Sequence, residues 1–294
     1  MQELGAVKES EFPALYGDAN ALSINAQKQF FTALAGNLSC LIFASALSVA
    51  NLPNIWFAGL QVVTLLIGLG LTIFLAAKKP QQSWYGARAL AESVKTVTWR
   101  YMMRAEPYDI DDANARYHFT KTLKKILDAN QQVIAQAMDT LITDQITLKM
   151  EEIRSSGLKE RQQFYKEFRI SEQQEWYRRK GRTNSRNSKR WFVALIIINS
   201  LAILWSLGKM IYPSQEHWPT DIFVTAAGSV MAWLQTKRYQ ELAASYTLTA
   251  HEIGLLRLEQ PNSLDENAHS IFVSDAENAF SREHTQWQAR RDKD

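Results

Sequence analysis

A single cysteine in 294 residues excludes a disulfide framework and a thiolate metal site. That residue, Cys40, lies within a long apolar run. Five histidines are scattered without metal-ligand spacing, and neither a glycine-rich phosphate loop nor a nucleophile elbow is present. Clustered acids, bases and ligands are missing too, so no metal, no cofactor and no enzymatic activity are expected. Net charge is only +3, mean hydropathy is −0.25 and charged residues make up 21%. These averages belong to an ordinary soluble chain and conceal how the apolar residues are distributed.

The apolar residues are concentrated in four blocks: about Phe30–Ala50, Trp56–Ala77, Trp191–Tyr212 and Trp218–Gln235. A bilayer core of ~30 Å needs roughly 20 apolar residues at 1.5 Å rise, and the first three blocks reach that length. The fourth is weaker, because its continuous apolar part is only Ile222–Leu234 and could be re-entrant. Asp221 stands at its outer edge, where a carboxylate can reach water. A full span is favoured, since an even count keeps both tails on one side. Of the seven prolines, Pro219 stands at the start of the fourth block, where a helix tolerates it, and none lies further inside a span. A signal peptide is the rival reading of the first block, but the run exceeds a typical h-region and follows a long polar segment.

Every Lys and Arg except Lys209 lies in the N-terminal tail, the central segment or the C-terminal tail. Positive charge stays cytoplasmic during insertion, so both ends and the middle of a multi-pass membrane protein are expected in the cytoplasm. Trp56, Trp84, Trp191 and Trp218 flank the blocks, as interfacial aromatics do. The fold expected is an all-α membrane protein: two tandem two-transmembrane helical hairpins, four spans in all, with helical cytoplasmic regions. Boundaries are drawn at 1–29 (cytoplasmic N-terminal segment), 30–77 (first hairpin), 78–155 (cytoplasmic region of the first repeat), 156–190 (basic lead-in), 191–235 (second hairpin) and 236–294 (C-terminal helices of the second repeat).

The halves also align with one another. A shift of 161 pairs Tyr16 with Tyr177, Lys28 with Lys189 and Phe31 with Phe192; a shift of 154 pairs Tyr85 with Tyr239 and Pro107 with Pro261. An internal, parallel duplication follows. Between the hairpins, Trp84–Arg104 has helical spacing, and Asp112 is expected to cap a helix running through Leu127 and Ile134 to Leu141. A further helix is expected from Gly157 to Arg179, with Ser171 and Asn184 as caps or turn residues.

Each span has a polar or small face. Asn37, Gln61, Thr64, Thr72, Asn199, Ser206, Thr225 and Ser229 are the candidates for lining a pore. The alternative is that these side chains form interhelical hydrogen bonds where small residues let helices approach. No span has a charge at its centre, which argues against a charge-relay transporter. Arg178, Arg179, Lys180, Arg182, Arg186, Lys189 and Arg190 form a dense run that could face lipid headgroups or a nucleotide, or simply anchor topology. Nucleic acid is not expected as a partner. Glu92, Glu252, Phe280, Glu283, His284 and Trp287 are read as packing residues of the cytoplasmic helices.

The paired hairpins, the segments Trp84-Tyr85…Arg88…Glu92 and Tyr239…Ala243…Tyr246…Glu252, and the tail Phe280-Ser-Arg-Glu-His284…Trp287 resemble the SLATT proteins, a family of two-transmembrane effector domains associated with nucleotide-synthesising and nucleotide-sensing proteins. The resemblance covers nearly the whole chain in tandem form. It implies a bacterial defence effector that assembles in the inner membrane and breaches it when a nucleotide-signalling or sensor partner triggers it. The family supplies no catalytic residues to carry over. Two functions are therefore expected to compete: a homo-oligomeric pore in the lipid bilayer, and a non-conducting scaffold that recruits a soluble signalling partner.

Overall fold

A computed structural model describes residues 7–51, 54–131, 144–261 and 265–291, with side chains as far as 281. The chain is 86% helical, with no strand among the described residues. A 3-10 turn at Glu9–Glu11 precedes α1 (Ala14–Ala50), α2 (Ile55–Lys78), α3 (Pro80–Met102) and α4 (Asp112–Ala129). Then come α5 (Leu148–Ser155), α6 (Leu158–Tyr165), a π-helical segment (Lys166–Ser171), α7 (Glu172–Ile211), α8 (Thr220–Lys237), α9 (Tyr239–Glu259) and α10 (Glu266–Arg291).

Local chemistry explains most boundaries. Asn54 caps α2 by accepting from the Trp56 N–H, and Thr147 caps α5 by accepting from the Met150 N–H. Asp111, one residue earlier than expected, caps α4 through the Asn114 N–H. Asp112 is free to meet two arginines instead. The expected end of that helix, from Ile134 to Leu141, lies outside the described residues. After both α2 and α8 a basic residue, Lys79 and Arg238, adopts the left-handed conformation at φ 45° and 48°. Each sends its N–H back to a leucine carbonyl, Leu75 and Leu234, ending one helix before the next begins.

Ser171 and Asn184 do not break the helix, contrary to expectation. The Ser171 hydroxyl donates to the Lys166 carbonyl and the Asn184 amide to the Lys180 carbonyl. Both polar side chains are satisfied by their own helix, so it continues from Leu158 to Ile211.

The chain packs as two compact units. One comprises Met1–Gln27, Gln81–Arg178 and Leu248–Asp294; the other comprises Lys28–Pro80 and Arg179–Thr247. The first has a core of large side chains, including Leu90, Tyr101, Met102, Phe119, Met150 and Tyr165, all essentially inaccessible. The second is apolar on its outside. Leu66, Ile73, Ile197, Leu204 and many similar residues are exposed.

Three helices among the described residues are long and apolar enough to cross a membrane: Ala14–Ala50, Ile55–Met102 and Leu158–Ile211. Helix α8 is not among them; it has 18 residues and begins on Thr220 and Asp221.

Small residues set the close approaches inside the apolar unit. A Cβ on Gly36 would lie 3.1 Å from Leu71 Cδ1, and one on Gly181 would lie 2.9 Å from Thr247 Oγ1. Gly59, by contrast, faces open space. Gly181→Leu is therefore expected to force α7 and α9 apart and cost about 1–3 kcal/mol in detergent unfolding titrations, whereas Gly59→Leu leaves the midpoint unchanged.

Candidate functional site

The most charged part of the interior is a ladder of three arginines in the first unit. Arg154, Arg161 and Arg169 lie on α5, α6 and the π segment, and each is at most 2% exposed. Their spacing is seven and then eight residues. Extended residues at Ser156 and Gly157 separate Arg154 from Arg161, and Arg169 lies in the π segment that continues the helix of Arg161.

Each guanidinium is met differently. Arg154 donates to Asp112 at 3.0 Å and to the carbonyls of Tyr101 and Ile110. Its guanidinium also stacks over the Tyr101 ring at 4.8 Å. Arg161 donates to the carbonyls of Ser156 and Met103 and to the Glu266 carboxylate. Arg169 makes a bidentate pair with Glu277, at 2.7 and 2.6 Å, and lies 4.7 Å over the Phe280 ring. The Tyr165 hydroxyl donates to the same carboxylate at 2.9 Å.

Electrostatics follow from this geometry. Burial disfavours the charge on Arg169, but the Glu277 carboxylate outweighs it and holds the arginine above its usual value. Tyr165 is pushed well up, first by burial and then by Glu277. Nearby His269 is fully buried, packs edge-on to Tyr165, and has no hydrogen-bond partner on either ring nitrogen. Burial pulls it down to about 4, with Arg161 adding to the effect and Glu266 opposing it.

This ladder was not anticipated from sequence, since its arginines occur in a segment rich in Lys, Glu and Gln. A signal was present nonetheless. Ile153, Phe164-Tyr165 and Phe168…Ile170 place large apolar residues beside each arginine. Of the packing residues expected, Phe280 is buried, and Glu92 is buried and paired with Arg88 on the same helix. Glu252 is exposed. The side chains of Glu283, His284 and Trp287 lie outside the described residues.

In the apolar unit, the Asn37 amide donates to the Thr72 hydroxyl at 2.9 Å, and the Gln61 amide to the Ala44 carbonyl at 3.4 Å. Position thus advances along α1 as it recedes along α2. The Thr225 hydroxyl donates to Ser45 at 3.3 Å, joining α8 to α1. Thr64 and Ser229 are buried, with the Thr64 hydroxyl donating to the Leu60 carbonyl. The interhelical bonds bring Asn37, Gln61, Thr72 and Thr225 into helix contacts. Asn199 and Ser206 are exposed. Lys237 lies 3.2 Å over the Phe31 ring, beside Trp233. The basic side chains Arg178, Arg179, Lys180, Arg182, Arg186, Lys189 and Arg190 are all exposed, with Arg178 paired to Glu175. Among the described residues no group of three His, Cys, Asp or Glu side chains could hold a metal ion.

An all-helical chain with long, outward-facing apolar helices and a separate charged-core helical unit is a membrane protein. Residues 13–162 match the family model described as SMODS and SLOG-associating 2TM effector domain 3, and residues 165–287 match effector domain 1 of the same series. The chain belongs to the SLATT family, carrying two such domains in tandem across residues 13–287. No curated protein and no solved structure matches it. The domains are named as effectors associated with SMODS and SLOG systems, in keeping with a defence effector.

The ladder makes two expectations measurable. Glu277→Gln leaves Arg169 buried without a counter-charge and should cost about 3–5 kcal/mol in chemical denaturation, whereas Arg169→Met combined with Glu277→Leu should cost much less. His269 is neutral when folded and takes up a proton more readily once unfolded. Its contribution is therefore intact above pH 6.5 and is lost as pH falls towards 4, by up to about 3 kcal/mol. Subtracting the stability–pH profile of His269→Leu from that of the parent should isolate this slope.

Proposed function

We propose that the chain is an oligomeric pore-forming effector that permeabilises the bacterial inner membrane when triggered. The observation that carries this reading is the apolar unit itself, whose long helices keep their outer faces exposed in a chain of an effector family. One chain offers too few helices to enclose a generous aqueous path, so several copies would surround it. In this reading α8 is the fourth span, α1–α2 and α7–α8 are the two hairpins, and both termini face the cytoplasm with the basic segments. The first unit receives the trigger, from a nucleotide-signalling or sensor partner, and moves the hairpins. No catalysis is assigned to it.

A non-conducting scaffold is the competing reading. The exposed basic run on α7 favours it, since seven cationic side chains form a ready surface for an acidic partner or anionic headgroups. Current through planar bilayers holding the purified protein, with and without candidate cytoplasmic nucleotides, separates the two. Discrete steps that shrink in Asn37→Leu or Gln61→Leu, with assembly intact, are the expected result. Silence from a folded oligomer under every trigger would leave the scaffold.

A further inference from the structure

The membrane part of α7 carries an amide that its surroundings do not satisfy. Asn199 is exposed in the middle of an apolar run, and its one hydrogen bond goes from Nδ2 to the Leu195 carbonyl of its own helix. A hydroxyl can be satisfied that way, as Thr72 and Thr236 are by the carbonyls four residues back. An amide cannot, because it has a second N–H and a carbonyl oxygen still to pair. Lipid tails offer neither donor nor acceptor.

Asn199 also lies on an ordered stripe. Phe192, Ile196, Asn199, Ile203, Ser206 and Met210 follow one another at steps of four and three, and all six are exposed, the four apolar ones at 58, 49, 61 and 78%. This is the a/d spacing of a helix–helix seam. It extends about 27 Å, close to the full hydrocarbon thickness. It lies roughly a quarter turn from Ala202, which is buried against the chain's own helices.

We propose that this stripe is the contact between two copies of the chain, with Asn199 paired to Asn199 across it. The amide is self-complementary, having both a donor and an acceptor. Copies inserted in the same orientation place it at the same depth, which a lipid or an unrelated helix would not. The exposed face of α2 is a poorer seam, because its polar side chain, Thr72, is already engaged by Asn37. The inference deepens the oligomeric reading above by naming its interface, but it does not require that the oligomer conduct.

Single cysteines placed at 196, 199, 203 and 206 in a Cys40→Ala background, oxidised in native membranes, test it. Dimers are expected at these positions and not at 197 or 204. Asn199→Leu should weaken self-association about 3- to 30-fold, read by energy transfer in bicelles, while Asn199→Gln retains most of it. Helicity and thermal unfolding of the Leu variant should be unchanged, since the residue faces away from its own chain. Cross-links strongest at 197 or 204, none anywhere, or association indifferent to Asn199→Leu would each overturn the seam. Conductance without seam cross-links would remove this inference and leave the pore; seam cross-links in a silent protein would do the reverse.

Discussion

A guanidinium withdrawn from water must find a counter-charge or lose several kcal/mol, and the Arg169–Glu277 pair is where this chain meets that requirement. Both side chains are inaccessible, so neither can turn to solvent if the other is lost. The pair joins the π segment to α10, and the Tyr165 hydroxyl and Phe280 ring lie against it. Arg154 and Arg161 extend the same logic along the ladder by taking up backbone carbonyls where α3 ends and the following turn begins. Such a core specifies its partners by geometry, because each carbonyl or carboxylate must sit at a particular donor.

The two family domains do not fold as two separate bodies. Trp99, from the first matched segment, lies beneath Arg169 of the second at 5.9 Å, and Arg161 of the first binds Glu266 of the second. The compact units instead collect like with like. Charged-core parts of both domains share one unit, and apolar helices of both domains share the other. This is the arrangement expected where solvent changes along the chain. Charged-core helices need water around them, and the apolar helices need hydrocarbon.

Polar groups in the apolar unit follow the opposite economy from those in the ladder. Within its apolar runs they are neutral, and some are tied between neighbouring helices, as Asn37 is to Thr72 and Thr225 to Ser45. Glycines at 36 and 181 mark where neighbouring helices come close. Asn199 stands out because its amide bonds only to the Leu195 carbonyl of its own helix and to no neighbouring helix.

The sequence by itself determined the all-helical class, the long apolar helices, the basic flanks and the tandem family layout, because hydropathy and charge act over whole segments and survive averaging. It also determined that α8 is the weakest of the four apolar blocks, through Asp221 and its short run. Tertiary structure alone decided which polar residues are inside. Arg154, Arg161 and Arg169 read as solvent-facing in a charged stretch, yet they are buried because carbonyls and carboxylates from distant α3, α4 and α10 converge on them. Ser171 and Asn184 read as helix ends, yet the helix runs through them, since their side chains bond back to it. Of the amides in the spans, only packing could separate Asn37 and Gln61, which found partners on adjacent helices, from Asn199, which did not. The physical reason is the same in each case: composition and periodicity report what a residue prefers, whereas the cost of burying it depends on partners brought from elsewhere in the chain.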